Sequence, residues 1–255
     1  MTRVGAVTGA GSGIGRAIAA GLAERGYRVA IADVNAEGGA ETVSQIEGAG
    51  GEAFFTEVDV TDPDAVVAWL DQVVERWDGL DALANNAGIN GPTVPLEEYS
   101  VEDFERVIRI NLLSVSIVTR AAIPHFRRRG GGAIVNTGST ASVQGYGGLS
   151  AYTASKHGVL GLTRAVAMEY ADIPVRVNCV LPGPVDTPLM RGIYEAMDPE
   201  NPGAAREIFA QTSPLKRYAT EREIADVVAF LMSDEAAYVT GAAIPVDGAI
   251  TAGVV

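Results

Sequence analysis

Cysteine is nearly missing from this chain of 255 residues: Cys179 stands alone. An internal disulfide is therefore excluded, and with it the stapled scaffolds of oxidising compartments. Cys179 sits in the apolar run 175–181, where a packing role outweighs that of a nucleophile. Histidine is almost as scarce. His125 and His157 belong to no cluster with ligand spacing, so no metal site is expected. Basic charge is also in short supply, with 19 lysines and arginines against 32 aspartates and glutamates and a net charge of −13. A surface that acidic argues against nucleic acid or an anionic membrane as partner. No apolar stretch reaches about 18 residues without a charge, so no transmembrane helix is expected. The opening residues Met1 to Val7 are too few, and too soon broken by Gly5, to form a secretory signal. These absences predict a cytoplasmic protein with a small-molecule partner.

What the chain does have is glycine, 30 residues of it, and a regular alternation of patterns. Short apolar runs at 4–8, 28–32, 53–58, 80–84, 133–137, 175–181 and 243–246 read as seven strands. Helical spacing appears between them at 14–25, where Ile14, Ile18 and Leu22 recur every turn, and at 65–77 behind Asp62 and Pro63. Ser100 and Asp103 form a capping box that opens a long helix to about Arg129, and Gly130 closes it. The three arginines 127–129 there suit a helix C-terminus. Further helices are expected at 152–170 and from Thr220 to Met232. Alternating strand and helix implies one α/β domain over 1–255, with a parallel sheet and helices on both faces. The stretch at about 188–217 breaks the alternation and is expected to be an inserted lid.

After the first strand comes T-G-x-x-x-G-x-G, with Gly9, Ser12, Gly13, Ile14 and Gly15 between strand and helix. Glycines in such a turn let the backbone approach a pyrophosphate whose charge faces the helix N-terminus. Asp33 follows about 20 residues later, at the end of the second strand, where a carboxylate accepts hydrogen bonds from an adenosine ribose diol. It would repel a 2′-phosphate, so NAD(H) is expected over NADP(H). Arg16 is the one residue nearby that argues the other way.

Tyr152 and Lys156 are one turn apart on a helix, with both side chains on one face. A neighbouring ammonium would favour the phenolate and bring the tyrosine towards general acid–base chemistry. Alone, the pair reads better as an amphipathic surface pair. It is accompanied by Asn85, Asn86, Ala87 and Gly88 after the fourth strand, by Asn111 in the long helix, by Ser139 after the fifth strand, and by Pro182 and Gly183 after the sixth. In open α/β sheets ligands bind beyond the carboxyl ends of the strands, where most of these residues fall.

In this combination and order the motifs resemble the short-chain dehydrogenase/reductase family, in its compact single-domain branch. The resemblance implies a Rossmann-type, doubly wound, seven-stranded parallel sheet and an oxidoreductase. It implies that Tyr152 exchanges a proton with the substrate oxygen, that Ser139 holds that oxygen, that Lys156 binds the nicotinamide ribose and biases Tyr152, and that Asn111 seats a water linking Lys156 to solvent. Asp59 and Val60 match the family's adenine contact. Asn86, Ala87 and Gly88 match the segment beside the cofactor, and Pro182, Gly183, Val185 and Thr187 match the loop facing the nicotinamide amide. Two departures are Gly138 before Ser139, and Ala249 after Gly248 where the family often has a second glycine. Substrate contacts are expected from Asn90, Gln144, Tyr146, Met190 and Tyr194. No basic cluster stands among these, which favours a small neutral or cyclic secondary alcohol or ketone. The lid and the following Lys216, Arg217 and Tyr218 are similar to reductases of cyclic ketones. A 3-oxoacyl-thioester reductase and a non-catalytic dinucleotide sensor are the competing readings. The family commonly forms homotetramers or homodimers, and the uncharged tail 249–255 suits a subunit contact.

Overall fold

The computed structural model describes residues 2–197 and 200–253. Asp198 and Pro199 of the expected lid, and Val254 and Val255 of the uncharged tail, lie outside the described residues.

Seven parallel strands form one sheet in the order β3-β2-β1-β4-β5-β6-β7. They are β1 (Val4–Thr8), β2 (Arg28–Asp33), β3 (Glu52–Glu57), β4 (Ala82–Asn85), β5 (Gly132–Thr137), β6 (Val175–Pro182) and β7 (Ala243–Val246). β1 is central, buried at every residue, and paired with β2 on one side and β4 on the other. This explains why it reads as a continuous apolar run rather than an alternating one. The strand order reverses between β1 and β4, which opens a crevice at the carboxyl ends of these two strands.

Helices cover both faces. α1 (Gly13–Glu24), α2 (Ala36–Gly48) and α9 (Glu221–Met232) bury Ile18, Leu22, Ile46, Ile224 and Val228 against one face. α3 (Pro63–Trp77), α5 (Ser114–Arg129) and α6 (Ser150–Glu169) bury Trp69, Leu70, Val118, Phe126 and Val166 against the other. The caps expected from sequence form: Ser100 Oγ accepts from Asp103 N at 3.0 Å, and Thr220 and Glu223 cap each other reciprocally. The long helix is not uniform. α4 (Val101–Ile108) runs into a π-helical turn, Arg109–Leu113, before α5 continues. Although Val101–Arg129 is long and apolar enough to cross a membrane, its inner face packs into the protein core.

Two features go beyond what the sequence leads one to expect. α2 is absent from the sequence reading because Gly38, Gly39 and Gly48 dilute its helical pattern. Two of these glycines are demanded by packing: a Cβ at Gly39 would overlap the Phe55 ring, and one at Gly38 would come within 2.6 Å of the Gly11 carbonyl oxygen. Tertiary contact overrides propensity here. The inserted stretch has secondary structure of its own. It is largely helical, with α7 (Pro188–Met197) and α8 (Pro202–Thr212) joined to the sheet after β6. Asp186 tethers it at its root through ion pairs with Arg206 at 2.9 Å and Arg191 at 3.8 Å.

The tail after β7 is shaped by Asp247, whose carboxylate accepts from Ala249 N, Thr251 N and Thr251 Oγ1 at 2.7–2.9 Å. Ala249 in that turn has φ +73°, a left-handed conformation that costs a residue with a Cβ about 1–2 kcal/mol. Glycine there would relieve the strain and lose part of the gain to the greater entropy of its unfolded state. Ala249→Gly is expected to raise stability by about 0.5 kcal/mol, or about 1–2 °C in Tm by thermal denaturation. A lowered Tm would show that the turn carries no such strain.

Candidate active site

At the carboxyl end of the sheet lies a cleft of about 1080 Å³, and the glycine-rich turn forms one end of it. Gly9 and Gly13 hold φ of +63° and +57°. A Cβ on Gly9 would come 2.7 Å from Ala87 Cα, so only glycine lets this turn nest against the segment after β4. Gly9, Ser12, Gly13 and Ile14 line the cleft, at the start of α1. Gly15 does not line it. It sits behind the turn, where a Cβ would overlap the Gly9 carbonyl oxygen, so its task is close packing of helix on strand.

Asp33, Asp59 and Val60 line the same end, together with Val34 and Val58. The Asp33 carboxylate accepts from Gly11 N at 2.8 Å and Asn35 N at 2.9 Å. It is thereby fixed at the tip of β2 beside the turn. Arg16 is held by its own partners: it pairs with Glu41 at 2.7 Å and donates to Thr42 Oγ1 at 3.0 Å and to the Gly11 carbonyl at 2.5 Å.

A buried polar ladder holds the middle of the cleft. Asn85 donates to Asn136 Oδ1 at 2.8 Å and to Thr119 Oγ1 at 3.1 Å, and Asn136 donates to Thr163 Oγ1 at 2.9 Å. These bonds fix the ends of β4 and β5 against α5 and α6. Thr8 Oγ1 accepts from the backbone of Asn86 and Ala87 at 3.0 and 3.2 Å, and Asn86 Nδ2 donates to the Gly9 carbonyl at 3.1 Å. The segment Asn86, Ala87 and Gly88 is thus pinned against the glycine-rich turn and lines the cleft.

Ser139, Tyr152 and Lys156 meet on the next wall. Ser139 Oγ accepts from Ala141 N at 3.1 Å, which leaves its own proton free to donate. Its neighbour Gly138 has no room for a side chain, since a Cβ would come 2.7 Å from Cys179 Sγ and 2.8 Å from Ser142 Oγ. That accounts for the first of the two departures. Lys156 is buried and donates from Nζ to the Thr137 carbonyl at 2.8 Å, with Nζ 5.6 Å from the centroid of the Tyr152 ring. Burial pushes the Lys156 ammonium down to about 8. The Tyr152 hydroxyl is raised above its ordinary value, chiefly by burial, while its hydrogen bond with Ser139 works in the opposite direction. The sequence argument expected Lys156 to lower Tyr152. In the chain by itself burial dominates, and the ammonium is turned to the Thr137 carbonyl.

Asn111 lies behind this wall in the π-helical turn. It is buried, with Oδ1 accepting from Ile89 N and Nδ2 donating to the Ile89 carbonyl, both at 2.8 Å, and to Ser155 Oγ at 3.1 Å. A Cβ on Gly88 would stand 3.2 Å from Asn111 Oδ1 and 3.7 Å from Lys156 Nζ, so the three residues share one locality.

Pro182, Gly183, Val185 and Thr187 border the opening towards the lid, and Asn90, Gln144, Tyr146 and Met190 complete the substrate end. Tyr146 Oη hydrogen-bonds Thr140 Oγ1 at 2.8 Å and Gln144 Oε1 at 3.2 Å. Tyr194 is a correction. It does not line the cleft but is 3% exposed between α7 and α8, packed with Ala205, Ala210 and Tyr218. Its position in the lid suggested a contact, yet the helical phase of α7 turns Ile193 to the cleft instead. Sequence reasoning also missed Arg106, Leu189, Phe209 and Ile250, which reach the cleft from α4, α7, α8 and the tail. Only the phase of helices unseen in the sequence reading could have signalled the lid residues.

A family model described as enoyl-(acyl carrier protein) reductase matches residues 9–251. Levodione reductase of Leifsonia aquatica is 42% identical over 96% of this chain and 93% of its own length. Cis-4-hydroxycyclohexanecarboxylate dehydrogenase of Sinomonas cyclohexanicum is 43% identical, covering 98% of this chain and 97% of its own. Cyclohexanol dehydrogenase of an Acinetobacter species, strain SE19, is 40% identical over 98% and 95%. Among solved structures, that of levodione reductase superposes with a TM-score of 0.97 at 40% identity, covering 99% of this chain and 98% of its own. NADPH-bound actinorhodin polyketide ketoreductase reaches 0.94 at 36% identity (98% and 97% covered), and NAD⁺-bound xylitol dehydrogenase 0.93 at 34% (96% and 98%). Similarity this extensive takes in the sheet, the cleft and the helices α7 and α8 alike: the chain belongs to the short-chain dehydrogenase/reductase family and is an oxidoreductase that binds a nicotinamide dinucleotide.

Proposed function

We propose that this oxidoreductase moves a hydride between NAD(H) and a secondary alcohol or ketone on a small ring. The observation that carries the reading is the meeting of Ser139, Tyr152 and Lys156 on one wall of a cleft that has Asp33 at its other end. The fit to a dinucleotide rests on the two positive-φ glycines, Gly9 and Gly13, at the start of α1, a cradle that leaves backbone N–H groups free for a pyrophosphate. The bound nicotinamide would supply or accept the hydride. Asp33 and Asp59 suit the adenosine half, and Pro182, Gly183, Val185 and Thr187 suit the nicotinamide half.

Tyr152 would give its hydroxyl proton to the carbonyl oxygen in reduction and take it back from the alcohol in oxidation. Ser139 would donate to the same oxygen. Lys156 spends one N–H on Thr137 and has others for ribose hydroxyls. The positive charge of an oxidised nicotinamide would add to the Ser139 bond in favouring the phenolate, against the effect of burial. Asn111 would seat a water between Lys156 and solvent. Both of its side-chain polar atoms are engaged by Ile89, so the water would be held by its backbone. Ile89, Leu149, Leu189, Met190, Ile193, Phe209 and Ile250 give the cleft an apolar lining that matches a hydrocarbon ring, and the names of the three cyclic-substrate relatives support that class. The uncharged tail supports a subunit contact, so a homotetramer or homodimer is part of the proposal.

Preference for NAD(H) follows from the Asp33 carboxylate and the engagement of Arg16 by Glu41. Turnover of cyclohexanol, read by nicotinamide absorbance, is expected to favour NAD⁺ over NADP⁺ at least about tenfold in kcat/KM, and Asp33→Asn, which removes the charge and keeps the shape, to narrow that gap. A wild-type preference for NADP⁺ would sink the Asp33 argument, and absence of turnover on any ring alcohol or ketone would sink the substrate class.

A further inference from the structure

The charged residues that line the cleft are Asp33, Asp59, Arg106 and Lys156. The two aspartates stand at the adenosine end and Lys156 is held on the Thr137 carbonyl. Arg106 is left without a task in the reaction described above.

Its setting gives it one. Arg106 lies on α4 one turn before Ile110, and both face the cleft, so α4 presents a wall to the substrate end. That wall is held firmly, because Val107 and Tyr99 fill the space where Gly91 would otherwise carry a side chain. Asn90 and Thr93 line the cleft from the same loop. Arg106 and Tyr152 line the same cleft, so a ring held with its reacting carbon at Tyr152 can carry a substituent that meets the guanidinium.

The charge is also free. Other arginines around the turn and lid are paired: Arg16 with Glu41, Arg191 and Arg206 with Asp186, Arg217 with Glu223. Glu102 stands one turn before Arg106 at pairing distance in sequence, yet among the described residues no carboxylate forms an ion pair with Arg106. On a chain of net charge −13 an anionic ligand is repelled in general, so an unpaired cation on the cleft wall is a local exception.

We infer that Arg106 selects ring substrates that carry a carboxylate remote from the reacting carbon, binding it through the planar guanidinium. This rests on the ring alcohol or ketone reading given above. Guanidinium and carboxylate match as a two-pronged hydrogen-bonded pair, which a neutral substituent of the same shape cannot form. Arg106 is solvent-exposed, so the interaction weakens with salt.

The test compares cis-4-hydroxycyclohexanecarboxylate with cis-4-methylcyclohexanol as substrates for NAD⁺-dependent oxidation by wild type, Arg106→Gln and Arg106→Lys. Wild type is expected to prefer the carboxylated ring, and the ratio of the two kcat/KM values to fall about tenfold in Arg106→Gln, chiefly through KM for the carboxylated ring. Arg106→Lys retains part of the ratio, and added salt raises the wild-type KM for the carboxylated ring alone. No wild-type preference, or a ratio unaltered by Arg106→Gln, overturns the inference while turnover of the methyl ring leaves the reaction assignment standing. Failure of wild type on both rings overturns the reaction assignment, and this inference with it. Should Arg106→Gln not fold, the Arg106→Lys ratio and the salt series decide: both unchanged from neutral behaviour overturns the inference.

Discussion

Tyr152→Phe is expected to lower kcat by about three orders of magnitude or more, with NAD(H) affinity changed by no more than about threefold. The substitution removes one oxygen and leaves the ring packed beside Lys156. It deletes a hydroxyl whose acidity is shifted by burial and by its bond with Ser139. Ser139 cannot replace it: a serine hydroxyl is a far weaker acid, and its oxygen is already occupied by Ala141 N. The proposed cofactor cradle of Gly9, Gly13, Asp33 and Asn86 lies outside the change, so calorimetric titration of NADH should still give a binding isotherm. Because burial raises Tyr152, the wild-type oxidation rate should climb with pH as the phenolate form becomes populated, and the variant's residual rate should lack that limb. Turnover within tenfold of wild type would show that another group carries the proton. Loss of NADH binding along with turnover would instead make Tyr152 a structural member of the cofactor site.

The contrast between these residues and the ones the sequence hid is physical. The glycine-rich turn, Asn86 to Gly88, Ser139, Tyr152 and Lys156 are legible because chemistry and backbone geometry restrict each to one residue type at fixed spacing. The five inner strands are legible for a related reason: parallel strands buried on both faces read as unbroken apolar runs. α2 lacks any such restriction. Its glycines are set by contacts with Phe55 and Gly11, residues from other elements, so nothing local announces a helix. The lid shows the same limit. Its composition marks a break in the alternation, but whether Ile193 or Tyr194 faces the cleft depends on helical phase, which is fixed by Tyr218 and Phe209 from α8 and beyond. Arg106 escaped notice because it lies within a run of ordinary helix-surface charge, and only the packing of α4 under the loop at Gly91 brings it to the cleft.

Replacing Lys156 with methionine should separate function from stability, lowering kcat/KM by about 100-fold or more while raising stability near pH 7 by about 1–2 kcal/mol. The loss of activity follows from the proposed ribose contacts and the charge beside Tyr152. The gain follows from burial. A lysine is ordinarily charged up to about pH 10.4, and Lys156, buried with the Thr137 carbonyl as its one hydrogen-bond partner on the wall, is depressed to about 8. Below pH 8 both folded and unfolded chains carry the proton, and the folded chain bears the full cost of a buried ammonium. Between about 8 and 10.4 the unfolded chain holds more protons than the folded one, so this group makes wild-type stability rise with pH across that window. Methionine fills similar space, carries no charge, and leaves the Thr137 carbonyl without its donor, which offsets part of the gain by about 1 kcal/mol. The difference in Tm between variant and wild type should therefore be positive at pH 6.5 and shrink by pH 9.5. A variant that melts below wild type at both pH values, by a constant margin, would mean that the ammonium is a net structural cation and that its desolvation is compensated within the fold.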